Sequence, residues 1–220
     1  MTIAQTIANR WRQWHSHSAP EPAPARWVVL DTETSGLDPA QDLLLAIGGV
    51  AVDAQGIRLA DSIEIVLYND RAGSRDNIVV HGIGHGAQRE GIPVAEALQE
   101  LVGYVADAPC VGFHCAFDRA FLANAARQVG VALPSWPWLD VAMLAAAIDP
   151  QRYSDGCRDL DAWLDVAGVV MVARHNAAAD ALATAELLLH MRARAEPRTR
   201  FDHAALTRLA GQHRWLTRTN

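Results

Sequence analysis

Trp27-Val-Val-Leu-Asp-Thr-Glu-Thr-Ser-Gly-Leu-Asp-Pro39 decides how the chain folds. Four apolar residues run into Asp31 and Glu33, and a turn rich in Ser, Gly, Asp and Pro follows. The apolar run predicts a buried strand over Trp27–Thr32. Residues i and i+2 of a strand share a face, so Asp31 and Glu33 project together. Two carboxylates that close repel, and each is pushed toward its protonated form unless a cation neutralises the pair. Hard oxygen donors of this kind suit Mg²⁺ or Mn²⁺. Taken alone, the pair fits a solvated strand end equally well.

Strand text continues outward from this stretch. Leu43–Val52 and Ile57–Tyr68 read as two more strands joined by a turn at 54–56, which predicts an antiparallel three-strand meander. Beyond Asp70 the period becomes helical, with Val94, Leu98, Leu101 and Val105 on one stripe. Pro109–Phe113 reads as a short strand, and Asp118–Val129, Asp140–Ile148, Leu160–Val166 and Asn176–Ala195 read as helices. A last helix is expected within Pro197–Asn220, started by Asp202 and carrying Leu206, Leu209 and Trp215. Strands followed by interleaved helices and strands predict an α/β domain, a central mixed sheet flanked by helices.

The flanks differ from the body. Ile3, Ile7, Trp11 and Trp14 lie on one helical face, and Pro-Glu-Pro-Ala-Pro-Ala (20–25) makes a stiff connector. The segment has the basic, acid-poor start of a transit peptide, but two arginines are thin evidence for one, and a docked helix is the simpler reading. The domains expected are residues 1–25 as amphipathic helix and connector, 26–195 as the main domain, and 196–220 as a helical extension.

Composition removes several chemistries. All 19 basic residues are arginine, so Schiff-base, phosphate-loop and Ser–Lys mechanisms are excluded. The absent lysine and the Asp-Thr-Glu spacing also exclude a phosphatase of the haloacid-dehalogenase type. A net charge of −6 argues against a broad nucleic-acid-coating surface, though not against one cleft that meets a phosphate backbone. Cys110, Cys115 and Cys157 lack metal-ligand spacing and read as reduced, mostly buried thiols of a cytoplasmic protein. No apolar run is long enough to span a membrane.

Two later stretches give the acidic pair company. Val111–Leu122 (VGFHCAFDRAFL) places Asp118 at a strand-to-helix junction, where alone it reads as an N-cap. Arg174–Leu189 (RHNAAADALATAELLL) places His175 before a long helix and Asp180 in its first turns. Strand ends and helix starts are where α/β sheets present chemistry.

Asp31-Thr-Glu33, Asp118 and His175-x4-Asp180, in this order, resemble the three motifs of the DEDDh 3′→5′ exonucleases, a group that includes the proofreading epsilon subunit of the bacterial replicative polymerase. The resemblance runs from about Arg26 to Met191 and implies a ribonuclease H-like fold. Val79–Gly84, with His81, and Trp138–Ala145 are similar to segments around the second motif. Many members carry asparagine after the histidine of that motif, where this chain has Phe113-His114-Cys115.

The resemblance implies two divalent cations, Mg²⁺ or Mn²⁺, held by Asp31, Glu33, Asp118 and Asp180, with Asp31 bridging. His175 is implied as the general base, imidazole being the side chain that exchanges protons near neutral pH. Thr34, Leu37 and His81 are implied to seat the substrate's 3′ end. Arg119 and Arg174 adjoin motif acids and are candidates for phosphate contact or for ordinary solvated charge. The expected partner is nucleic acid with a free 3′ end, DNA ahead of RNA. An exoribonuclease and a non-catalytic polymerase-associated subunit are the alternatives, and the flanking helices are candidates for docking a polymerase or a second copy.

Overall fold

The computed structural model describes residues 26–69, 85–171, 175–195 and 202–216, with side chains described outside 85–87 and 213–216. The expected helix at 1–18, the connector at 20–25, His81 and Arg174 lie outside the described residues, as does the side chain of Trp215.

The strands are β1 (Trp27–Thr34), β2 (Leu44–Asp53), β3 (Gly56–Val66), β4 (Cys110–Gly112) and β5 (Trp138–Asp140). The helices are α1 (His85–Glu90), α2 (Val94–Val105), α3 (Ala116–Val129), α4 (Val141–Ile148), α5 (Pro150–Ser154), α6 (Leu160–Ala167), α7 (Ala177–Arg194) and α8 (His203–Leu216). The five strands form one sheet in the order β3-β2-β1-β4-β5. β1, β2 and β3 pair antiparallel, while β4 pairs parallel to β1 and β5 parallel to β4. The meander and the mixed sheet are therefore as the periodicity predicts. β5, α1 and α5 add to the sequence reading; β5 is three residues long, too short to show a period.

Alternation along β1 sorts its side chains between two helical layers. Trp27 and Val29 face a core built with α4, α6, α7 and α8, where Leu144, Trp163, Leu187, Leu188 and Leu206 are buried. Val28 and Leu30 face the other core, built with α2 and α3, where Leu98, Leu101, Phe121 and Leu122 are buried. Helices thus cover both faces, which is why β1 and β2 read as near-continuous apolar runs. α8 seats Leu206 and Ala210 in the first core, so this part of the C-terminal segment packs on the body of the domain. Among the described residues no helix is long and apolar enough to cross a membrane.

Several local devices fix the ends of elements. Arg26 makes a two-pronged ion pair with Asp61 at 2.7 and 2.9 Å and donates to the Tyr104 carbonyl at 3.0 Å, tying the start of β1 to β3 and α2. Cys110, Cys115 and Cys157 are free thiols, and burial pushes Cys110 and Cys115 up to about 12, which makes them inert as nucleophiles.

His203 opens α8 in a buried position, its Nε2 3.3 Å from the Cys110 carbonyl and its ring edge-on to Trp27 at 5.4 Å. Burial holds its pKa below the ordinary imidazole value, against the opposing pull of the carbonyl bond and Asp202. The unfolded chain therefore takes up a proton below about pH 6.5 that the folded chain resists. Its contribution is present above that pH and is lost as pH falls toward the lowered folded value. Asp118, raised to about 6 by burial, acts with the opposite sign. The expected result is consequently a difference: between pH 7.5 and pH 5, the melting temperature of wild type falls more than that of His203→Gln. Thermal melts of both proteins across that interval check it.

Candidate active site

Asp31 and Glu33 continue the odd-numbered face of β1 and so meet α7. Asp180 lies in the first turn of α7 and is buried. One ligand oxygen from each of Asp31, Glu33 and Asp180 falls within 4.8 Å of the other two. Three carboxylates this close, two of them buried, are an unfavourable arrangement without a cation, and the oxygen donors fit a hard divalent ion.

α7 can come this close because of Gly48. This residue pairs with Asp31 across β1–β2 and with Glu64 across β2–β3. A Cβ built on Gly48 would lie 2.0 Å from the backbone carbon of Ala177 and 2.3 Å from the nitrogen of Ala178. The first turn of α7 rests directly on the strand that backs Asp31. Glycine at this point was not picked out from the sequence, because the clash is with backbone more than a hundred residues away.

Asp118 reaches β1 from α3, beside the residue between the two motif acids. Thr32 belongs to the even-numbered face of β1 and points toward α3. Its Oγ1 donates to Asp118 Oδ1 at 2.7 Å, in a buried contact. The carboxylate group within 4.8 Å contains Asp31, Glu33 and Asp180 without Asp118. Burial pushes the Asp118 carboxyl up to about 6, with Thr32 pulling it down and nearby Asp140 adding to the rise. The structure therefore sets Asp118 on the α3 side of β1, held by the residue between the two motif acids.

His175 stands immediately before α7 in a left-handed backbone conformation, φ 59°, and is exposed. Its neighbour Asn176 caps α7 by accepting from Ala179 N at 2.9 Å, and its Nδ2 donates to Glu64 Oε1. Asn176 thereby pins the histidine-bearing end of α7 to β3.

His114, in the stretch before Asp118, also has a positive φ, 52°. His is among the non-glycine residues enriched in this region. Its N–H donates to Asp140 Oδ1 at 3.1 Å, and its Nε2 lies 3.1 Å from the Arg158 carbonyl. Asp140 also caps α4. Asp140 and Thr32 join Gly48 as site-shaping residues that the motif reading passed over.

The turn after β1 is braced. Thr34 Oγ1 donates to the Gly36 carbonyl at 2.7 Å, Asp38 N donates to Asp42 Oδ2 at 2.8 Å, and Leu43 N donates to Ser35 Oγ at 2.8 Å. It holds Leu37 with 85% of its surface exposed. Arg119 lies on the exposed side of α3 and makes no ion pair among the described residues.

A sheet with acids from a strand end and a helix start defines a class, and comparison with known proteins identifies it. Residues 28–188 match the family described as Exonuclease (RNase T), and the chain belongs to that family. It is 31% identical over 166 residues to a DNA polymerase III PolC-type protein of Thermotoga maritima, covering 75% of this chain and 12% of that one. It is 30% identical over 169 residues to a DNA polymerase III subunit epsilon-like protein of Rhodobacter capsulatus, covering 75% and 23%. The chain thus spans under a quarter of the length of these relatives.

Among solved structures, the nuclease domain of 3′hExo, a DEDDh family member bound to rAMP, superposes with TM-score 0.69 at 12% identity, covering 80% of this chain and 96% of that one. Exonuclease X in complex with 5′ overhanging duplex DNA gives 0.63 at 18%, covering 84% and 99%. Escherichia coli Exonuclease I in complex with a dT13 oligonucleotide gives 0.63 at 17%, covering 78% and 41%. The fold is the ribonuclease H-like fold of these exonuclease domains.

Proposed function

We propose that this chain is a metal-dependent 3′→5′ exonuclease that removes nucleoside 5′-monophosphates from the 3′ end of single-stranded DNA. The observation that carries the reading is the close approach of Asp31, Glu33 and Asp180. These three, together with Asp118 from α3, would hold divalent cations, Mg²⁺ or Mn²⁺. When bound, the cations supply charge neutralisation at the scissile phosphate and make water a stronger nucleophile.

The remaining work falls to the chain itself. His175 takes the proton of the attacking water, its position set by the Asn176 cap and the Asn176–Glu64 bond. Thr34 and Leu37, on the braced turn, seat the terminal nucleotide. DNA is favoured over RNA by the polymerase relatives, and a polymerase is the partner they suggest. A second reading, exoribonuclease, is favoured by the rAMP-bound neighbour. The proposed catalytic unit is 26–195 with the buried face of α8 packed on it, and residues 1–25 are proposed to dock a partner.

The test is hydrolysis of matched 5′-labelled DNA and RNA strands with Mg²⁺ or Mn²⁺, with and without EDTA. Stepwise shortening from the 3′ end, abolished by EDTA and faster on DNA, is expected. Hydrolysis that ignores EDTA overturns the metal assignment. For His175→Ala, kcat is expected to fall about 10²–10⁴-fold while Mn²⁺ binding persists, the range for a displaced general base. Equal loss of metal binding and turnover would demote His175 to a support.

A further inference from the structure

Arg119 adjoins a motif acid yet faces away from it, since successive helical residues point about 100° apart. Ala116, Arg119, Ala120, Ala123 and Arg127 follow one another on one flank of α3 at helical spacing, and all are exposed. Arg119 has no carboxylate partner among the described residues, and Arg127 donates only to the neutral amide of Asn124. The two guanidinium-bearing positions are eight residues apart, about 12 Å along the helix.

Beside this flank, the segment leading to β5 walls a groove of about 470 Å³. Arg119, Leu133, Pro134, Ser135, Trp136 and Trp138 line it, and none of its lining residues carries a carboxylate. Trp136 is fixed as floor by its indole N–H, which donates to the Ala106 carbonyl at 2.9 Å. Trp138 is half-buried, and its indole N–H makes no hydrogen bond to the protein among the described residues.

In a chain of net charge −6, a groove that pairs unopposed arginine with indole rings selects for an anionic, aromatic ligand. Two other cavities among the described residues lack this character. The one at the β2–β3 hairpin has Arg26 and Arg58, but each is ion-paired, to Asp61 and Asp53. The one between β3 and α2 is lined by Glu64, Glu90 and Glu100, which repel phosphate.

We propose that the flank of α3 and the groove beside it form an accessory site for single-stranded nucleic acid, with Arg119 and Arg127 on backbone phosphates and Trp138 stacked on a base. It rests on the exonuclease reading for its purpose: α3 carries Asp118 inward and Arg119 outward, so the helix that bears a motif acid also bears the proposed site. The site serves nucleotides upstream of the one being removed. It therefore acts on long strands and leaves a dinucleotide unaffected.

Equilibrium titration of the EDTA-treated protein with a labelled thymidylate dodecamer, over a salt series, reads the site without any hydrolysis. Each of Arg119→Ala and Arg127→Ala is expected to lower the slope of log affinity against log salt by about 0.7, the value for one contact to a single strand. Trp138→Leu is expected to weaken the dodecamer about fivefold or more and to remove the tryptophan quenching that accompanies binding. With Mn²⁺ present, turnover of a dinucleotide is expected to match wild type in both arginine variants. Wild-type slopes for the dodecamer in both arginine variants would overturn the site and leave the groove to a protein segment. If wild type fails to hydrolyse the dinucleotide, the exonuclease reading fails, and the EDTA titration still decides the groove.

Discussion

Asp31→Ala is expected to lose essentially all exonuclease activity, at least about a thousandfold, while its melting temperature in EDTA stays equal to or above that of wild type. The loss follows from removing one of the three carboxylates that lie within 4.8 Å of one another and are proposed to hold the cations. Metal neutralisation of transition-state charge is worth several kcal/mol, and each 1.36 kcal/mol is a factor of ten. The unchanged or raised stability follows from electrostatics, because Asp31, Glu33 and Asp180 lie within 4.8 Å and repel one another in the metal-free protein.

A second readout separates this from a merely damaged fold. A cation at a hundred times its Kd stabilises the native state by about 2.7 kcal/mol. For a domain of this size that corresponds to a rise of roughly 5–10 °C. Wild type is expected to show the rise on adding Mn²⁺, and Asp31→Ala to show little or none. Retained activity in the variant, or the same Mn²⁺-induced rise, would remove Asp31 from the site.

Among the described glycines, Gly48→Ala is expected to produce the largest effect, since its added methyl meets the closest backbone. The added Cβ would lie 2.0 Å from Ala177 backbone carbon and 2.1 Å from its oxygen. Backbone cannot rotate aside as a side chain can, so the start of α7 must lift off β2 by more than an ångström. Overpacking of this kind costs about 1–3 kcal/mol, or roughly 3–10 °C in melting temperature. The lift also draws Asp180 and His175 away from Asp31, and a displacement near 1 Å costs about a hundredfold in rate. Gly103→Ala is the control, because that glycine sits within α2 with nothing inside 4 Å of its added Cβ. There alanine is expected to raise stability by about 0.4–1 kcal/mol through helix propensity and chain entropy. Melting curves and exonuclease rates for the pair check both directions.

The elements with a strong period were legible. β1, β2 and β3, the stripe of α2 and the long α7 follow from alternation or from 3.6-residue spacing. β5 was not legible, since its three residues hold no period and prolines precede it. Within the site, residue type was readable at every motif position, but mutual placement was not. The motif reading grouped Asp118 with the other three acids; its buried bond to Thr32, the residue between Asp31 and Glu33, is a contact that motif order does not display. The alternation that joins Asp31 to Glu33 also sends the residue between them the other way.

By itself, the sequence determined the fold class, the order of its strongly periodic elements, the acids and histidine at strand ends and helix starts, and the exclusion of lysine chemistry. Each of these depends on local spacing or on composition, which a linear chain displays. Tertiary structure alone decided that α7 lies on Gly48, that Asn176 is tied to Glu64, that Asp118 is held by Thr32, and that Arg119 opens onto a tryptophan-lined groove. Those contacts join residues far apart in the chain. They come into being only when the two helical layers close on the sheet, and no local pattern encodes the distance between them.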